Sequence, residues 1–176
     1  ILLKNTLKDF KKNINFFQGL SAFFDVINSV NFIEMFISEV CNDNTYKLEI
    51  AGSYRRGASE SGDIDCLIII KKFNIKEAVG VLKKNGLIKK VLSIRNEKFM
   101  GIAHCKDFNF RLDIEFVNKN EWGSSLLYFT GSKEFNVNMR ADAKRKGMYL
   151  NEHGLFLNEE KVEEAPSEKR IFELLK

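Results

Sequence analysis

The chain has 176 residues, of which 44% are hydrophobic and 30% charged, and its formal net charge is +4 at pH 7. This composition is typical of a soluble protein with one well-buried core, and no apolar run reaches the ~20 residues that a membrane-spanning helix needs. The 3 cysteines are scattered, which excludes a zinc site or disulfide framework and predicts buried thiols in an intracellular, reducing compartment. A single proline and frequent Lys, Asn, Ile and Phe favour a viral or AT-rich microbial source.

Two apolar helical stripes open the chain. Apolar residues follow one another at steps of four and three from Leu3 to Phe17, which is the spacing of one helix face. A second stripe runs from Phe32 to Val40 and ends in a polar turn. Residues 1–44 are therefore predicted to form N-terminal helices, whose role the sequence does not define.

Strands and helices alternate over residues 45–118. Strands are predicted at Lys47–Ala51, Asp63–Ile70, Val91–Ile94, Lys98–His104 and Phe110–Val117, with an amphipathic helix at Ile75–Asn85 that ends before Gly86. This order predicts an α/β (α+β) fold with a mixed β-sheet.

Residues 119–176 predict a smaller, mostly helical subdomain with a short hairpin. Helices are predicted at Glu121–Phe129 and, strongly basic, at Lys133–Lys146, followed by a hairpin at Tyr149–Leu157 and a last helix that begins at the N-cap Ser167.

The most informative motif is the stretch from Gly52 to Asp65. Asp63 and Asp65 point to the same side of a strand, where they repel each other unless a cation lies between them, and oxygen ligands suit Mg²⁺. The turn at Gly52-Ser53 can present backbone N–H groups to a phosphate. Alone, an Asp-x-Asp pair is typical of a solvated strand entry and a Gly-Ser turn of a helix cap. Together with the paired arginines that follow the turn, they indicate a nucleotidyl-transfer site.

A metal pair held by two carboxylates needs a third ligand from a neighbouring strand. In the segment Phe110–Phe116, Asp113 and Glu115 share one face and apolar residues occupy the other. Asp113 is the predicted ligand, whereas Glu115 is interpreted as an ordinary charge on an exposed strand face.

The stretch from Gly52 to Asp65 resembles the signature of the family X DNA polymerases, Gly-Ser-aromatic-x-Arg-Gly-x-x-x-Ser-x-Asp-aliphatic-Asp, although Cys66 stands where an aliphatic residue is usual. Arg111-Leu112-Asp113 resembles the third motif of that family, and Tyr128 to Arg140 is similar to its DNA polymerase beta-like nucleotide-binding region, from which Lys133 departs. The resemblance covers about residues 45–175. It implies a nucleotidyltransferase palm (45–118) and a thumb (119–176), the minimal form of small viral repair polymerases.

Roles follow from the resemblance residue by residue. The predicted catalytic and metal-binding residues are Asp63, Asp65 and Asp113, holding two Mg²⁺ ions for which Mn²⁺ can substitute. The predicted nucleotide-binding residues are Gly52, Ser53, Arg56, Gly62, Tyr128, Phe129, Gly131 and Asn136. Arg111 is expected to orient Asp113 and, with Arg140, to contact DNA.

The basic run Lys144-Arg145-Lys146 is predicted to bind DNA phosphates, although most lysine runs are only solvated helix faces.

The implied function is template-directed addition of dNMP from dNTP to a primer 3′-hydroxyl, with short-gap filling on gapped or primer–template DNA during repair. A monomer without a membrane partner is expected. One alternative is a template-independent terminal nucleotidyltransferase on another acceptor, which the Tyr128–Arg140 stretch disfavours. The other is a non-catalytic DNA-binding module, which the three carboxylates disfavour.

Overall fold

The computed structural model of the protein describes residue 31 and residues 47–58, 61–69, 74–105 and 108–176. The predicted N-terminal helices of residues 1–44 lie outside the described residues, apart from residue 31. The division of the chain at residues 44 and 118 stays a prediction.

The first half of the described chain forms a five-stranded mixed sheet. Its strands are β1 (Lys47–Ile50), β2 (Asp63–Ile69), β3 (Ile88–Arg95), β4 (Lys98–Cys105) and β5 (Phe108–Phe116). They lie in the order β1-β2-β5-β4-β3, with β2 and β5 parallel and the other neighbours antiparallel. The predicted mixed sheet of an α/β fold is therefore confirmed. The third strand is longer than predicted because its pairing with β4 continues past the apolar run.

The two faces of the sheet have different tasks. The apolar residues of β2 on one face are Ile64, Cys66 and Ile68, and all three are buried against helix α2 (Ile75–Lys84). Because side chains alternate along a strand, Asp63 and Asp65 lie on the opposite face. Hydrophobic burial under α2 thus fixes the direction in which both carboxylates point.

A single helical turn, α1 (Gly52–Arg55), connects β1 toward β2 where the sequence predicts a phosphate-binding turn. Ala51 N donates to Asp65 O at 2.8 Å. This bond holds the start of the turn directly beside the acidic strand.

The thumb consists of four further elements around its own core. The three helices are α3 (Trp122–Thr130), α4 (Lys133–Arg145) and α5 (Glu168–Leu174), and a 3-10 turn at Lys119–Glu121 precedes α3. The fourth element is a small sheet of the strands β6 (Met148–Asn151), β7 (Gly154–Leu157) and β8 (Glu160–Lys161). The core contains Leu127, Met139, Ala143, Leu150, Leu155 and Ile171. Strand β8 is too short to produce a sequence pattern, and the sequence did not predict it.

Serine caps set the starts of two thumb helices. Ser132 Oγ accepts from Phe135 N at 3.3 Å, and Ser167 Oγ accepts from Arg170 N at 3.1 Å. The predicted N-cap at Ser167 is confirmed. Each hydroxyl satisfies a backbone N–H that has no partner within its own helix.

Helix α3 joins the thumb to the palm. Leu126 packs with Ala51 and Leu67 on the sheet face that also carries the carboxylates. On another side of α3, a Cβ atom added to Gly123 would overlap the carbonyl oxygen of Pro166. No helix in the described part of the chain is long and apolar enough to cross a membrane.

Replacing Gly123 by alanine is expected to destabilise the protein by about 1–3 kcal/mol, because the methyl group would overlap backbone that a side-chain rotation cannot move. The matched control is Gly80→Ala in α2, where an added Cβ meets no atom within 4 Å. That variant should be more stable by about 0.5–1 kcal/mol, since alanine favours a helix. Urea unfolding monitored by circular dichroism measures both, and equal effects would contradict the packing described for Gly123.

Candidate active site

The parallel pairing of β2 with β5 assembles the acidic cluster. In the register of the two strands Asp63 is opposite Arg111, and Asp65 is opposite Asp113. Directly paired side chains on neighbouring strands lie on the same face of the sheet. Three carboxylates that are separated by up to 50 positions in the sequence therefore come together at one place.

Arg111 bridges two of the carboxylates. Its Nη2 lies 2.5 Å from Asp63 Oδ2 and 3.3 Å from Asp113 Oδ2. The guanidinium remains partly exposed, whereas the Asp113 side chain is only 10% exposed. The contact between Arg111 and Asp113 is the one that the predicted orienting role of Arg111 requires. The predicted contact of Arg111 with DNA stays a prediction.

The cluster is short of positive charge. Burial raises the pKa of Asp65 to about 6, and the neighbouring charges of Asp63 and Asp113 add to the effect. Burial also raises the pKa of Asp113, although Arg111 and Lys98 oppose this. Both pKa values are raised because the effect of burial on these carboxylates is larger than the opposing effect of the nearby cations.

The residues fit a divalent cation. Asp113 Oδ1 is buried and accepts no hydrogen bond from the described residues. A buried carboxylate oxygen without a donor is costly, and a metal ion would satisfy it. Among the described side chains no three acidic, histidine or cysteine groups already form a converged ligand set, since the Arg111 guanidinium lies between Asp63 and Asp113. Arg111 contacts Oδ2 of Asp63, and a carboxylate can accept from an arginine with one oxygen while the other binds a metal ion.

Gly52 allows the phosphate-binding turn to approach the acidic strand. Its φ is +58°, and an added Cβ would overlap Asp65 Oδ2. Ser53 Oγ lies 2.6 Å from Ser61 Oγ, which donates to Asp63 O at 2.6 Å. This hydroxyl pair connects the turn to Asp63, the first predicted metal ligand, and Ser61 was not among the predicted site residues.

A cavity of about 340 Å³ joins the palm and thumb parts of the site. Its lining includes Gly52, Ser53, Arg56, Asp63 and Asp65 from the palm and Tyr128, Phe129, Gly131, Lys133, Asn136 and Arg140 from the thumb. It thus brings together seven of the eight predicted nucleotide-binding residues, two of the three aspartates and the predicted DNA contact Arg140. Lys133 is an additional lining residue, and it adds positive charge to the cavity.

The thumb wall of the cavity is held by specific contacts. Arg56 Nη1 donates to Thr130 O at 2.6 Å, directly before Gly131, whose φ is +69°. Asn136 Nδ2 donates to Tyr128 O at 2.7 Å. An amide nitrogen carries two hydrogens, so Asn136 keeps a second donor for a ligand.

The aromatic pair forms the apolar part of the wall. The rings of Tyr128 and Phe129 meet edge to face at 5.1 Å, and the Arg140 guanidinium lies 6.0 Å from the Tyr128 ring centre. On the other side, Lys98 Nζ lies 5.3 Å from the Phe129 ring centre and 3.3 Å from Glu115 Oε2. Glu115 thus pairs with Lys98, although burial raises its pKa.

Several predicted residues lie outside the cavity lining. Gly62 is exposed next to Asp63, and an added Cβ there would meet nothing within 4 Å. Its predicted role in nucleotide binding stays a prediction. At the end of α4, Lys144, Arg145 and Lys146 are exposed, and Arg145 forms an ion pair with Asp142 one turn earlier in the helix.

Sequence reasoning missed the ion pair that ties the turn α1 to the thumb. Arg55 binds both carboxylate oxygens of Glu168, at 2.8 and 2.7 Å, and donates to Thr130 Oγ1 at 2.7 Å. The two partners of the ion pair are 113 positions apart, and no local pattern connects them. The sequence shows that Arg55 and Arg56 are adjacent, but it does not show that Arg55 binds Glu168.

Two family models match the chain over most of its length. The DNA polymerase beta palm matches residues 25–119, and the DNA polymerase beta thumb matches residues 125–176.

Named relatives agree with these models. The chain is 34% identical to DNA polymerase lambda of Rattus norvegicus in an alignment of 148 residues that covers 70% of this chain and 26% of the relative. It is 41% identical to DNA polymerase IV of Saccharomyces cerevisiae over 81 residues, 45% of this chain and 14% of the relative. It is 28% identical to Repair DNA polymerase X of African swine fever virus over 109 residues, 61% of this chain and 63% of the relative. The matched part thus spans about a quarter or less of the cellular relatives and just under two thirds of the viral one.

The Arg55–Glu168 ion pair is expected to couple palm and thumb stability. Both side chains are mostly covered, with 29% and 26% exposure, and the contact is bidentate. We expect a coupling free energy of about 1 kcal/mol between Arg55→Ala and Glu168→Ala in a double-mutant cycle, measured by urea unfolding. The exposed pair Arg145–Asp142 is the control and should give a coupling near zero. Equal couplings for the two pairs would contradict the bridging role.

Proposed function

The chain belongs to the family X DNA polymerases, and on that basis we propose that it adds dNMP from a dNTP to a primer 3′-hydroxyl under the direction of a template. Short-gap filling during DNA repair is the proposed setting. The observation that carries the proposal is the shared cavity, in which Asp63 and Asp65 meet Asn136 and Arg140. Carboxylates alone would serve any nucleotidyl transfer, whereas the thumb side chains supply donors for a base and a template.

The three aspartates would hold two Mg²⁺ ions, with Mn²⁺ as a substitute. When bound, such ions lower the pKa of a hydroxyl nucleophile and neutralise charge on the pyrophosphate leaving group. The buried, undonated Oδ1 of Asp113 and the raised pKa of Asp65 support this use of the cluster, because both indicate a site that lacks positive charge.

Asp113 is the proposed acceptor of the proton from the 3′-hydroxyl, directly or through a water molecule. Its pKa is raised by burial, and a more basic carboxylate accepts a proton more readily. Arg111 donates to Asp113 Oδ2, which orients the carboxylate beside the aspartates of β2.

The palm turn would bind the triphosphate. Arg56 reaches the cavity from the turn, and its Nη1 is already held by Thr130 O. Gly52 and Ser53 both line the cavity, where backbone N–H groups of such a turn can donate to an anion. Positive charge placed before the reaction stabilises negative charge that develops on the phosphates during it.

The thumb wall would select the sugar and the base. Tyr128 and Phe129 line the cavity and would give an apolar contact to a deoxyribose, and the backbone at Gly131 would exclude a 2′-hydroxyl. The second donor of Asn136 would bind the minor-groove edge of the incoming base. Arg140, whose guanidinium lies over the Tyr128 ring, would contact the template strand.

Asp113→Asn is expected to reduce primer extension by roughly 10²–10⁴-fold, because the amide neither accepts the proton nor binds a metal as a carboxylate does. The matched control is Glu115→Gln, a change of the same kind two residues along the same strand face, where the side chain pairs with Lys98. Single-nucleotide incorporation on gapped DNA measures both, and circular dichroism verifies that each variant is folded. Near-normal extension by folded Asp113→Asn would contradict the assignment.

The same assay distinguishes templated from untemplated transfer. Incorporation on a gapped duplex should follow the template base, and a single-stranded primer should be extended poorly. Equal extension of both substrates would favour a terminal nucleotidyltransferase that uses the same palm chemistry on another acceptor.

DNA affinity is expected to depend on the exposed end of α4. Each phosphate contact releases counterions, so each lost contact should reduce the slope of log affinity against log salt by about 0.9. We expect this change for Lys144→Ala and for Lys146→Ala, and a smaller one for Arg145→Ala, because Asp142 already neutralises Arg145. The control is Lys83→Ala/Lys84→Ala at the exposed end of α2. Fluorescence anisotropy at several salt concentrations gives the slopes, and an unchanged slope for the α4 variants would place the DNA contacts elsewhere.

A further inference from the structure

A second cavity, of about 510 Å³, lies on the thumb and is not part of the site described above. It opens between the end of α4 and the small sheet. Its lining includes the charged residues Lys144 and Glu159, the amide of Asn151 and the aromatic rings of Tyr149 and Phe156.

The two rings form an aromatic surface that the thumb core does not use. Tyr149 on β6 is directly paired with Phe156 on β7, and their ring centres lie 6.5 Å apart. The core instead takes Leu150 and Leu155, which point to the other face of the sheet. Tyr149 is 63% exposed. A large aromatic side chain with that exposure contributes little to folding and is suited to contact a ligand.

Helix α4 connects this surface to the active-site cavity. Asn136, Arg140 and Lys144 follow one another at steps of four and therefore form one stripe along the helix. The first two line the active-site cavity, and the third lines the second cavity. Four residues of helix rise by about 6 Å, and one strand of a DNA duplex carries one charge per about 3.4 Å of the duplex axis. One strand can thus place phosphates near Arg140 and Lys144 within one or two nucleotides of each other.

The chemistry of the second cavity suits an unpaired nucleobase. Lys144 supplies a positive charge for a phosphate, and the rings supply a stacking surface. Asn151 supplies an amide donor for a base edge, since its Oδ1 already accepts from His153 N and Gly154 N. The carboxylate of Glu159 also lines the cavity and repels a phosphate, so Lys144 is the phosphate contact that we expect. A base inside a duplex is stacked on both sides, and only an unpaired base has a free face for Tyr149.

We propose that the Tyr149–Phe156 surface binds an unpaired base of the template strand, with its phosphate at Lys144. The proposal rests on the proposed function, because the template is the strand that the α4 stripe would guide out of the active site. The ring surface adds base stacking to the phosphate contacts proposed for the end of α4.

The test uses the full chain and a primer–template DNA with a four-nucleotide 5′ overhang, without divalent metal so that no chemistry occurs. 2-Aminopurine replaces each overhang base in turn. The protein should change the fluorescence at one overhang position, Tyr149→Phe should retain that change, and Tyr149→Ala should abolish it. Tyr149→Ala should also lose about ten-fold in affinity for overhang DNA, as expected for one stacked base, and lose nothing for a blunt duplex.

The matched control is Leu157→Ala, a change at another exposed apolar residue of the same hairpin that does not line the cavity. It should leave both affinities and the fluorescence change as in the wild-type chain. The proposal is overturned when no overhang position responds, or when Tyr149→Ala weakens blunt and overhang DNA equally.

Primer extension by the same preparations separates this inference from the proposed function. If the wild-type chain extends primers normally and Tyr149→Ala changes neither the fluorescence response nor the affinity for overhang DNA, the inference is overturned and the proposed function stands. A Tyr149-dependent overhang response in a chain that extends no primer would overturn the polymerase activity and leave the base-binding surface standing.

Discussion

The site depends on one pairing, that of β2 with β5 in parallel register. It places Asp65 directly opposite Asp113 and Asp63 opposite Arg111. A shift of one strand by one residue would turn its aspartates to the other face of the sheet, where Ile64 and Leu112 are buried in the hydrophobic core. The free energy of burying that apolar face therefore also specifies the geometry of the acidic cluster.

The nucleotide cavity depends on a second constraint, the attachment of the thumb by two adjacent arginines. Arg55 binds Glu168 and the hydroxyl of Thr130, whereas Arg56 binds the Thr130 carbonyl. Both contacts converge on the residue before Gly131, where α3 ends and the chain turns into α4. Hydrogen bonds thus connect the turn that would bind the triphosphate to the thumb residues that would contact the base. We therefore expect a substitution at either arginine to affect the position of both.

Local patterns predicted most of the strands and helices, because alternation in β2, helix periodicity and serine caps are encoded within a few residues. They also pointed to most of the residues that line the palm–thumb cavity. Long-range geometry was not accessible in this way. The sequence could not show that Glu168, rather than another carboxylate, meets Arg55, or that Lys98 lies between Glu115 and the Phe129 ring. Strand β8 was missed because two residues carry no period, and its place is determined by pairing with β7.

Arg111 gives the cluster an internal cation, and its position explains the uneven electrostatics. Because its guanidinium contacts Asp63 and Asp113, the pKa of Asp65, which it does not contact, is raised to about 6 by burial and by its acidic neighbours. An arginine offers directional donors at the edge of the cluster, whereas a divalent ion can be shared by all three carboxylates. Binding of such an ion would therefore relieve the repulsion that Arg111 leaves at Asp65.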